Sequence, residues 1–516
     1  MDNNGVGSWL HRRRSKSGTK TALVSSEQTL SYAELAERTD RLANALKDRG
    51  VVHGDRVAYL GENHASFVET FFACGLLGAI FVPLNTRLAA PELQYQLLDS
   101  GARLVVNAAA LEDVAAVAAQ GTEVTHRFIV ASDGGPGPSA LGLPSGVELF
   151  EAVIAAAPAT PLDEPISLDD GAMILYTSGT TGKPKGALLT HGNITWNCIN
   201  TVVDMDLGRN DVALMISPLF HVASLDMGLL PMLLKGATVV LEPKFDAGRV
   251  LGLVARYKVT TLNGVPTTFQ MLCDHPDWAT ADLTSLDKLT CGGSAVPRRV
   301  LDAYEERGIG FTSCYGMTET APGATMLPVS RSKEKAGSAG LPHFFTDVRI
   351  ADPLGGLAPT GATGEIQISG PNVIKEYWNR PEATAESYAD STWFRSGDMG
   401  FRDEEGFLFV SDRLKDMIIS GGENIYPAEV EAAIAELPAV GSVAVIGVPD
   451  ETWGEVPKAV VTLQEGNTLT EEQLRSHLSG KLARYKIPKT VVFVDEMPRT
   501  ASGKIRKTDL RDQFAR

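Results

Sequence analysis

The stretch Tyr176-Thr177-Ser178-Gly179-Thr180-Thr181-Gly182-Lys183-Pro184-Lys185-Gly186-Ala187 follows the apolar run Ala172-Met173-Ile174-Leu175. Glycines let a backbone turn its N–H groups toward an anion at little steric cost, hydroxyls add donors, and lysines bring positive charge. A segment of this kind placed after a buried strand is built to hold a polyphosphate. It is not a P-loop: Gly179 and Gly182 are too close for G-x-x-x-x-G-K-[ST], and Pro184 stands after Lys183 where a hydroxyl is needed. A Gly/Ser/Thr linker is the plain alternative, but linkers rarely carry two lysines directly after a strand.

Around this loop the chain reads as α/β. Ser31-Tyr32-Ala33-Glu34 has the spacing of a capping box, with Leu35, Leu42 and Leu46 along one helical face behind it. Asp55–Leu60 reads as a strand, and helical and strand patterns alternate onward to about Leu262, which implies parallel layers. The uncharged run Thr70–Asn85 is broken by Gly75, Gly78 and Pro83 and falls short of the ~18 residues of a membrane span, so it reads as a buried helix entering a buried strand. Ala108–Ala119 is expected to be helical and Ser132–Ser145 a surface loop. The character changes again near Asp412–Asp416. Pro427 suits the first position of a helix over Ala428–Leu437, followed by a strand Val443–Val448 and a helix near Glu471–Leu482. The expected organisation is therefore a large domain over 1–411, a hinge over 412–416 and a small domain over 417–516.

Composition narrows the function. With 516 residues, 44% hydrophobic and 21% charged, the chain is that of an ordinary soluble protein with ample core. A net charge of −16 argues against nucleic-acid binding. Arg12-Arg13-Arg14 is the one basic cluster, expected on a solvated helix face. The five cysteines are scattered without metal or redox spacing and, with Met1–Leu10 lacking an apolar core, fit a cytoplasmic location without an integral membrane segment.

The loop resembles the phosphate-binding loop of the adenylate-forming superfamily, which includes acyl-CoA synthetases, aryl-CoA ligases, luciferases and peptide-synthetase adenylation domains. The resemblance extends over essentially the whole chain and implies a large N-terminal domain of layered α/β subdomains with a small, mobile α+β C-terminal domain. Its chemistry is attack of a carboxylate on the α-phosphate of MgATP, which requires bringing two anions together and neutralising charge on phosphorus. By this resemblance Thr177, Ser178, Gly179, Thr180, Thr181, Gly182, Lys183 and Lys185 hold the phosphates. Tyr315-Gly316-Met317-Thr318-Glu319 is similar to the motif whose aromatic packs at adenine, whose threonine meets the α-phosphate and whose glutamate holds Mg²⁺. Cys291-Gly292-Gly293-Ser294 resembles the backbone wall beside adenine, with Gly293 and Ser294 in the nucleotide site. Asp398, in Trp393-Phe394-Arg395-Ser396-Gly397-Asp398, matches the ribose-binding aspartate, with Arg413 as its partner at the domain junction. Pro498-Arg499-Thr500-Ala501-Ser502-Gly503-Lys504 is similar to the C-terminal catalytic loop, which gives Lys504 the bridging role between carboxylate and α-phosphate.

Ser420-Gly421-Gly422-Glu423 resembles the loop that enters the site for thioester formation, with Gly421, Gly422 and Glu423 beside the pantetheine arm of coenzyme A and Lys415 as the hinge. Pro218-Leu219-Phe220-His221-Val222-Ala223 matches the gate segment. His221, where amino-acid-loading domains carry aspartate, argues against an amino-acid substrate, and the small Ala223 favours an aliphatic tail. Cys314 stands where the family commonly has glycine and shortens or reshapes the acyl pocket. Together with Lys375–Glu382 and Leu482–Lys486, these features resemble actinobacterial fatty-acyl-CoA synthetases most closely. The expected function is an ATP-, Mg²⁺- and coenzyme A-dependent fatty-acid–CoA ligase, medium to long chain. The alternatives are an aryl or cinnamate-type acid–CoA ligase and an adenylating enzyme that loads a separate carrier protein. The partners are then a small carboxylate, ATP and CoA, with a homodimer left open.

Overall fold

The computed structural model describes residues 2–25, 28–131, 143–178, 183–292, 298–352, 354–413, 418–425, 427–464, 466–498, 505 and 507–515. The chain divides into two compact units. The first holds Met1–Thr86, Leu97–Leu175 and Gly186–Ser411, and the second holds Arg87–Gln96, Tyr176–Lys185 and Asp412–Arg516. The short inserts Arg87–Gln96 and Tyr176–Lys185 therefore belong with the C-terminal residues, which no local pattern in the chain announces.

The first unit is layered α/β. Its nine-stranded sheet runs in the order Leu341–Pro342, Thr325–Leu327, Phe311–Tyr315, Lys288–Cys291, Thr261–Gly264, Val212–Met215, Thr238–Leu241, Thr21–Val24, Thr29–Ser31. The six strands from Phe311–Tyr315 to Thr21–Val24 are parallel, and antiparallel strands close both edges. Ligands of open parallel sheets bind beyond the carboxyl ends of the strands. Those ends here carry Tyr315, Cys291 and Gly264.

An eight-stranded sheet runs Glu376–Tyr377, Pro184–Thr190, Gly171–Ser178, Ile80–Leu84, Arg56–Leu60, Ala102–Ala108, His126–Val130, Val147–Leu149. Thr70–Asn85 is, as expected, a buried helix (Ala65–Leu77) leading into a strand that is buried at every position. Apolar residues on all sides suit a helix buried all round. Gly78, at φ +68°, ends the helix where an L side chain would be strained. Tyr59, Phe67, Phe71 and Phe81 interlock edge to face beneath it, with centroids 5.0 Å apart for Tyr59–Phe67 and 5.1 Å for Phe67–Phe81. A four-stranded sheet, Asp347–Ala351, Gly364–Ser369, Phe394–Arg402 and Leu408–Arg413, completes the unit.

The Ser31 capping box forms, with its hydroxyl accepting from the Glu34 amide and the Glu34 carboxylate accepting from the Ser31 amide. The alanine-rich stretch Ala108–Ala119 is largely helical as expected: Ala108 ends the strand Ala102–Ala108, and a 3₁₀ turn, Ala109–Leu111, leads into the helix Glu112–Ala118. Leu104, Val105 and Val106 of that strand are buried between two parallel neighbours. Of the arginine cluster, expected on a solvated face, Arg12 is exposed while Arg13 and Arg14 are half-buried. Arg14 pairs with the fully buried Asp40 at 3.0 Å, and Arg13 donates to the carbonyl of Leu234.

In the second unit a sheet runs Glu423–Ile425, Ile418–Ser420, Gly454–Leu463, Val440–Asp450, and Thr490–Phe493 lies parallel to Gly454–Leu463. Alternate residues of its central strands feed two cores. Val445, Ala459 and Val461 meet Val430, Ile434, Leu474 and Leu478 on one face, while Ile446 and Val460 meet Met497 and Leu510 on the other. The helices are Pro427–Ala435, Glu471–Leu478 and Lys507–Phe514. The second helix stops four residues before Leu482, where Ser479 turns extended and Gly480 takes φ +83°.

Candidate active site

The phosphate-type loop joins the strands Gly171–Ser178 and Pro184–Thr190. Gly179, Thr180, Thr181 and Gly182 lie outside the described residues, but both stems are held by the helix Ala90–Ser100. The Tyr176 hydroxyl donates to the Gln96 carbonyl at 3.2 Å and the Tyr95 hydroxyl to the Pro184 carbonyl at 3.0 Å. The exposed Lys183 ammonium lies 5.8 Å from the Tyr95 ring centroid, a weak cation–π contact that leaves it open to an anion. Tyr95 was not singled out from the sequence, because nothing near it in the chain mentions the loop.

The first unit assembles a second group of expected residues. Tyr315 ends its strand, and its hydroxyl donates to Asp398 Oδ2 at 2.9 Å across 83 positions of sequence. The Asp398 amide donates in turn to the Ser396 hydroxyl at 3.0 Å. One acceptor oxygen of Asp398 is thus used to orient it. After Tyr315 the chain turns so tightly that a Cβ on Gly316 would lie 1.6 Å from the Pro322 carbonyl oxygen, so only glycine fits. The turn delivers Thr318 and Glu319 into a 3₁₀ segment, Thr318–Thr320. Glu319 is 9% exposed, and its Oε1 accepts from the Tyr377 hydroxyl at 2.7 Å. Its amide neighbourhood is tied down as well, since its carbonyl accepts from the Ile374 amide at 2.9 Å. Tyr377 lies within Lys375–Glu382, which sequence comparison picked out only as a matching stretch.

A lone carboxylate on a fixed backbone suits a hard divalent cation that takes its other ligands from phosphate and water. Among the described residues no group of three His, Cys, Asp or Glu side chains gathers as a self-sufficient metal site.

The gate segment brings Phe220 and His221 together, with ring centroids 4.8 Å apart. It then enters a π-helical stretch, Ala223–Leu229, that continues as the α-helix Leu230–Lys235. π-Helical turns carry an inserted residue and recur at functional sites. Ala223 is exposed, whereas Asp226 is fully buried with neither carboxylate oxygen hydrogen-bonded. Burial raises the Asp226 carboxyl well above the usual carboxylate range. Two residues on, a Cβ on Gly228 would meet the Asn263 amide nitrogen at 3.1 Å, and the buried Asn263 Oδ1 also lacks a partner. Cys314 Sγ sits 3.7 Å from the Cys291 carbonyl and 3.2 Å from where a Gly292 side chain would start. Desolvation pushes its thiol up to about 12, so it is a shape element and not a nucleophile.

In the second unit Gly421 and Gly422, at φ +56° and +83°, form the turn between Ile418–Ser420 and Glu423–Ile425. Two successive positive φ values are the requirement of a tight hairpin turn. The Gly421 amide donates to the Trp453 carbonyl at 2.8 Å, and a Cβ there would strike the Trp453 ring at 2.6 Å. Glu423, 3% exposed, pairs with Arg87 at 3.0 Å. Gly293, Ser294, Lys415 and Lys504 lie outside the described residues. Ser178 and Arg413 are described by backbone alone, at the ends of their strands.

Family models match both parts of the chain: "AMP-binding enzyme" over residues 10–378 and "AMP-binding enzyme C-terminal domain" over residues 429–504. The chain belongs to the AMP-binding enzyme family, within the adenylate-forming superfamily. More narrowly, it is an ATP-dependent acid–CoA ligase of the AMP-forming type. It is 50% identical over 514 residues to a feruloyl-CoA synthase of Amycolatopsis, covering 100% of both chains. It is 44% identical over 516 residues to an indoleacetate–CoA ligase of Aromatoleum aromaticum, covering 98% of each. Among solved structures it resembles the Mycobacterium tuberculosis fatty acyl CoA synthetase at 36% identity with a TM-score of 0.74, covering 99% of this chain and 98% of that one. No helix among the described residues is long and apolar enough to cross a membrane.

Proposed function

We propose that the acid this ligase activates is aromatic, a phenylpropenoic or arylacetic acid, and not a fatty acid. The observation that carries this reading is end-to-end identity of 50% with a feruloyl-CoA synthase, supported by 44% with an indoleacetate–CoA ligase, against 36% with a fatty acyl CoA synthetase. The gate segment supports it chemically. Asp226, fully buried within the π-helical stretch, and the half-buried Asn263 each keep polar atoms without a hydrogen-bond partner, which suits a ring that carries oxygen or nitrogen better than an alkyl chain. The filled position at Cys314 likewise suits a short, rigid acid.

In the first step the acid's carboxylate oxygen attacks the α-phosphorus of ATP and the bond to pyrophosphate breaks. The Thr177–Lys185 loop holds the β- and γ-phosphates, and Gly293, Ser294, Tyr315 and Gly316 line the adenine end. Thr318 meets the α-phosphate, and Asp398 with Arg413 binds the ribose. Glu319, braced by Tyr377, would hold Mg²⁺, which would supply neutralisation of phosphate charge. Lys504 bridges the two reacting anions, and His221 and Ala223 line the acid. In the second step the CoA thiol, reaching the site past Gly421 and Gly422, attacks the acyl carbon and AMP departs.

The test is AMP release with ATP and CoA across a panel of ferulate, coumarate, indoleacetate, phenylacetate, octanoate and palmitate. An aromatic acid is expected to give kcat/KM on the order of a hundredfold above either fatty acid, about 3 kcal/mol of transition-state discrimination. Equal or better turnover of octanoate or palmitate would return the enzyme to the fatty-acid reading.

A further inference from the structure

Within the second unit, a buried ionic cluster joins the insert Arg87–Gln96 to C-terminal residues nearly 400 positions away. Lys486, 6% exposed at the end of the 3₁₀ turn Arg484–Lys486, places its ammonium 2.8 Å from Glu429 Oε1 and 2.9 Å from Glu92 Oε1. Glu92 sits in the first turn of the helix Ala90–Ser100, and its second oxygen accepts from the Ala89 amide at 2.9 Å. Glu429 opens the helix Pro427–Ala435 and keeps Oε2 without a hydrogen-bond partner. Beside this triad Arg87 pairs with the buried Glu423, next to the Gly421-Gly422 hairpin. The Tyr485 hydroxyl lies in the field of Glu423, Glu429, Glu92 and Arg87 together.

Three carboxylates against two cations in a desolvated cluster is poor design for stability alone, because the cost of removing charges from water offsets their attraction. Such a cluster selects one arrangement over others. Burial opposes the charge on Lys486, but the two carboxylates outweigh it and hold the ammonium more tightly protonated than usual. Glu92 responds the other way, its carboxyl raised by burial, so the arrangement desolvates a group that would prefer water. When the two segments part, Lys486 retains Glu429 and Glu92 regains solvent. The Lys486 ammonium therefore keeps one carboxylate partner, Glu429, when Glu92 leaves.

We propose that Glu92, Lys486 and Glu429, together with Arg87–Glu423, form a latch that holds the insert Arg87–Gln96 against the Gly421-Gly422 hairpin during thioester formation. Glu92 and Lys486 are positioning residues for that half-reaction. This rests on the assignment of the hairpin to the CoA step. The latch touches the hairpin through Glu423 and the phosphate-loop stems through the same helix that carries Tyr95. It thus couples the loop that holds the leaving group to the loop that admits the thiol.

The experiment measures three quantities for Glu92→Gln, Lys486→Met and the double variant, with an acid that the wild-type enzyme adenylates. These are acid-dependent pyrophosphate–ATP exchange, single-turnover CoA-dependent consumption of supplied acyl-AMP, and melting temperature. Each single variant should slow the thioester step on the order of tenfold while exchange changes less than about twofold. The double variant should be no slower than either single one, as expected for two members of one contact. Glu92→Gln leaves the C-terminal pair Lys486–Glu429 intact and so keeps the test open if Lys486→Met folds poorly. Equal loss in both half-reactions, loss of exchange first, or additive effects in the double variant would overturn the latch. Gly421→Val separates the underlying assignment: if that substitution spares the thioester step, the hairpin reading fails irrespective of the latch variants.

Discussion

At the scale of single residues, Asp226 shows how burial changes what a side chain is. Its carboxyl is fully buried, with no partner for either oxygen, and burial lifts it well above its ordinary value near 4. The folded protein therefore keeps a proton that the unfolded chain releases. The stability this contributes is complete below the unfolded value and is lost as pH rises through the folded one. Asp226→Asn retains the shape without that loss. The gain of the variant over wild type in urea unfolding should thus grow from pH 5 to pH 8, by up to about 1.4 kcal/mol per pH unit. A constant difference across that range would mean the carboxyl is ionised and paired in the native state. Asp226 could not be singled out from the chain, because Ser224-Leu225-Asp226-Met227 reads as an ordinary amphipathic turn. Tyr377, which braces Glu319 from 58 positions away, falls within the matching stretch Lys375–Glu382, but nothing local gives it that role.

At the scale of elements, the legible features are those whose cause is local. The Ser31 capping box is written in four consecutive residues, and it forms because both hydrogen bonds close within one turn. The Gly421-Gly422 turn has an equally local cause, since both glycines take the positive φ that a tight hairpin turn demands. Gly421→Val would impose a side chain at φ +56° and against the Trp453 ring. It should slow thioester formation from supplied acyl-AMP at least about tenfold, with pyrophosphate exchange reduced less. A fall in exchange ahead of the thioester step would show that the hairpin serves adenylation. Where neighbours in space decide, the local reading fails. Arg13 and Arg14, expected with Arg12 on a solvated helix face, are half-buried because Arg14 meets the buried Asp40 and Arg13 the Leu234 carbonyl.

At the scale of the whole molecule, the residues proposed for the two halves of the reaction come from segments spread across the chain. Lys504, in the Arg499–Lys504 loop, is assigned to adenylation alone. Lys504→Ala should reduce acid-dependent pyrophosphate exchange on the order of a hundredfold or more, while consumption of supplied acyl-AMP by CoA stays within about threefold of wild type. Comparable loss in both half-reactions would remove that assignment. The sequence by itself determined the reaction class through resemblance, because the Thr177–Lys185, Tyr315–Glu319 and Ser420–Glu423 runs are short motifs that match those of the adenylate-forming superfamily residue by residue. Only the tertiary structure decided which groups hold those loops in place: Tyr377 on Glu319, Tyr315 on Asp398, Tyr95 on the phosphate-loop stem, and Lys486 between Glu92 and Glu429. Each of those contacts joins residues 57 to 394 positions apart. A hydrogen bond or ion pair between such residues depends on sheet order and packing, which the chain specifies only as a whole.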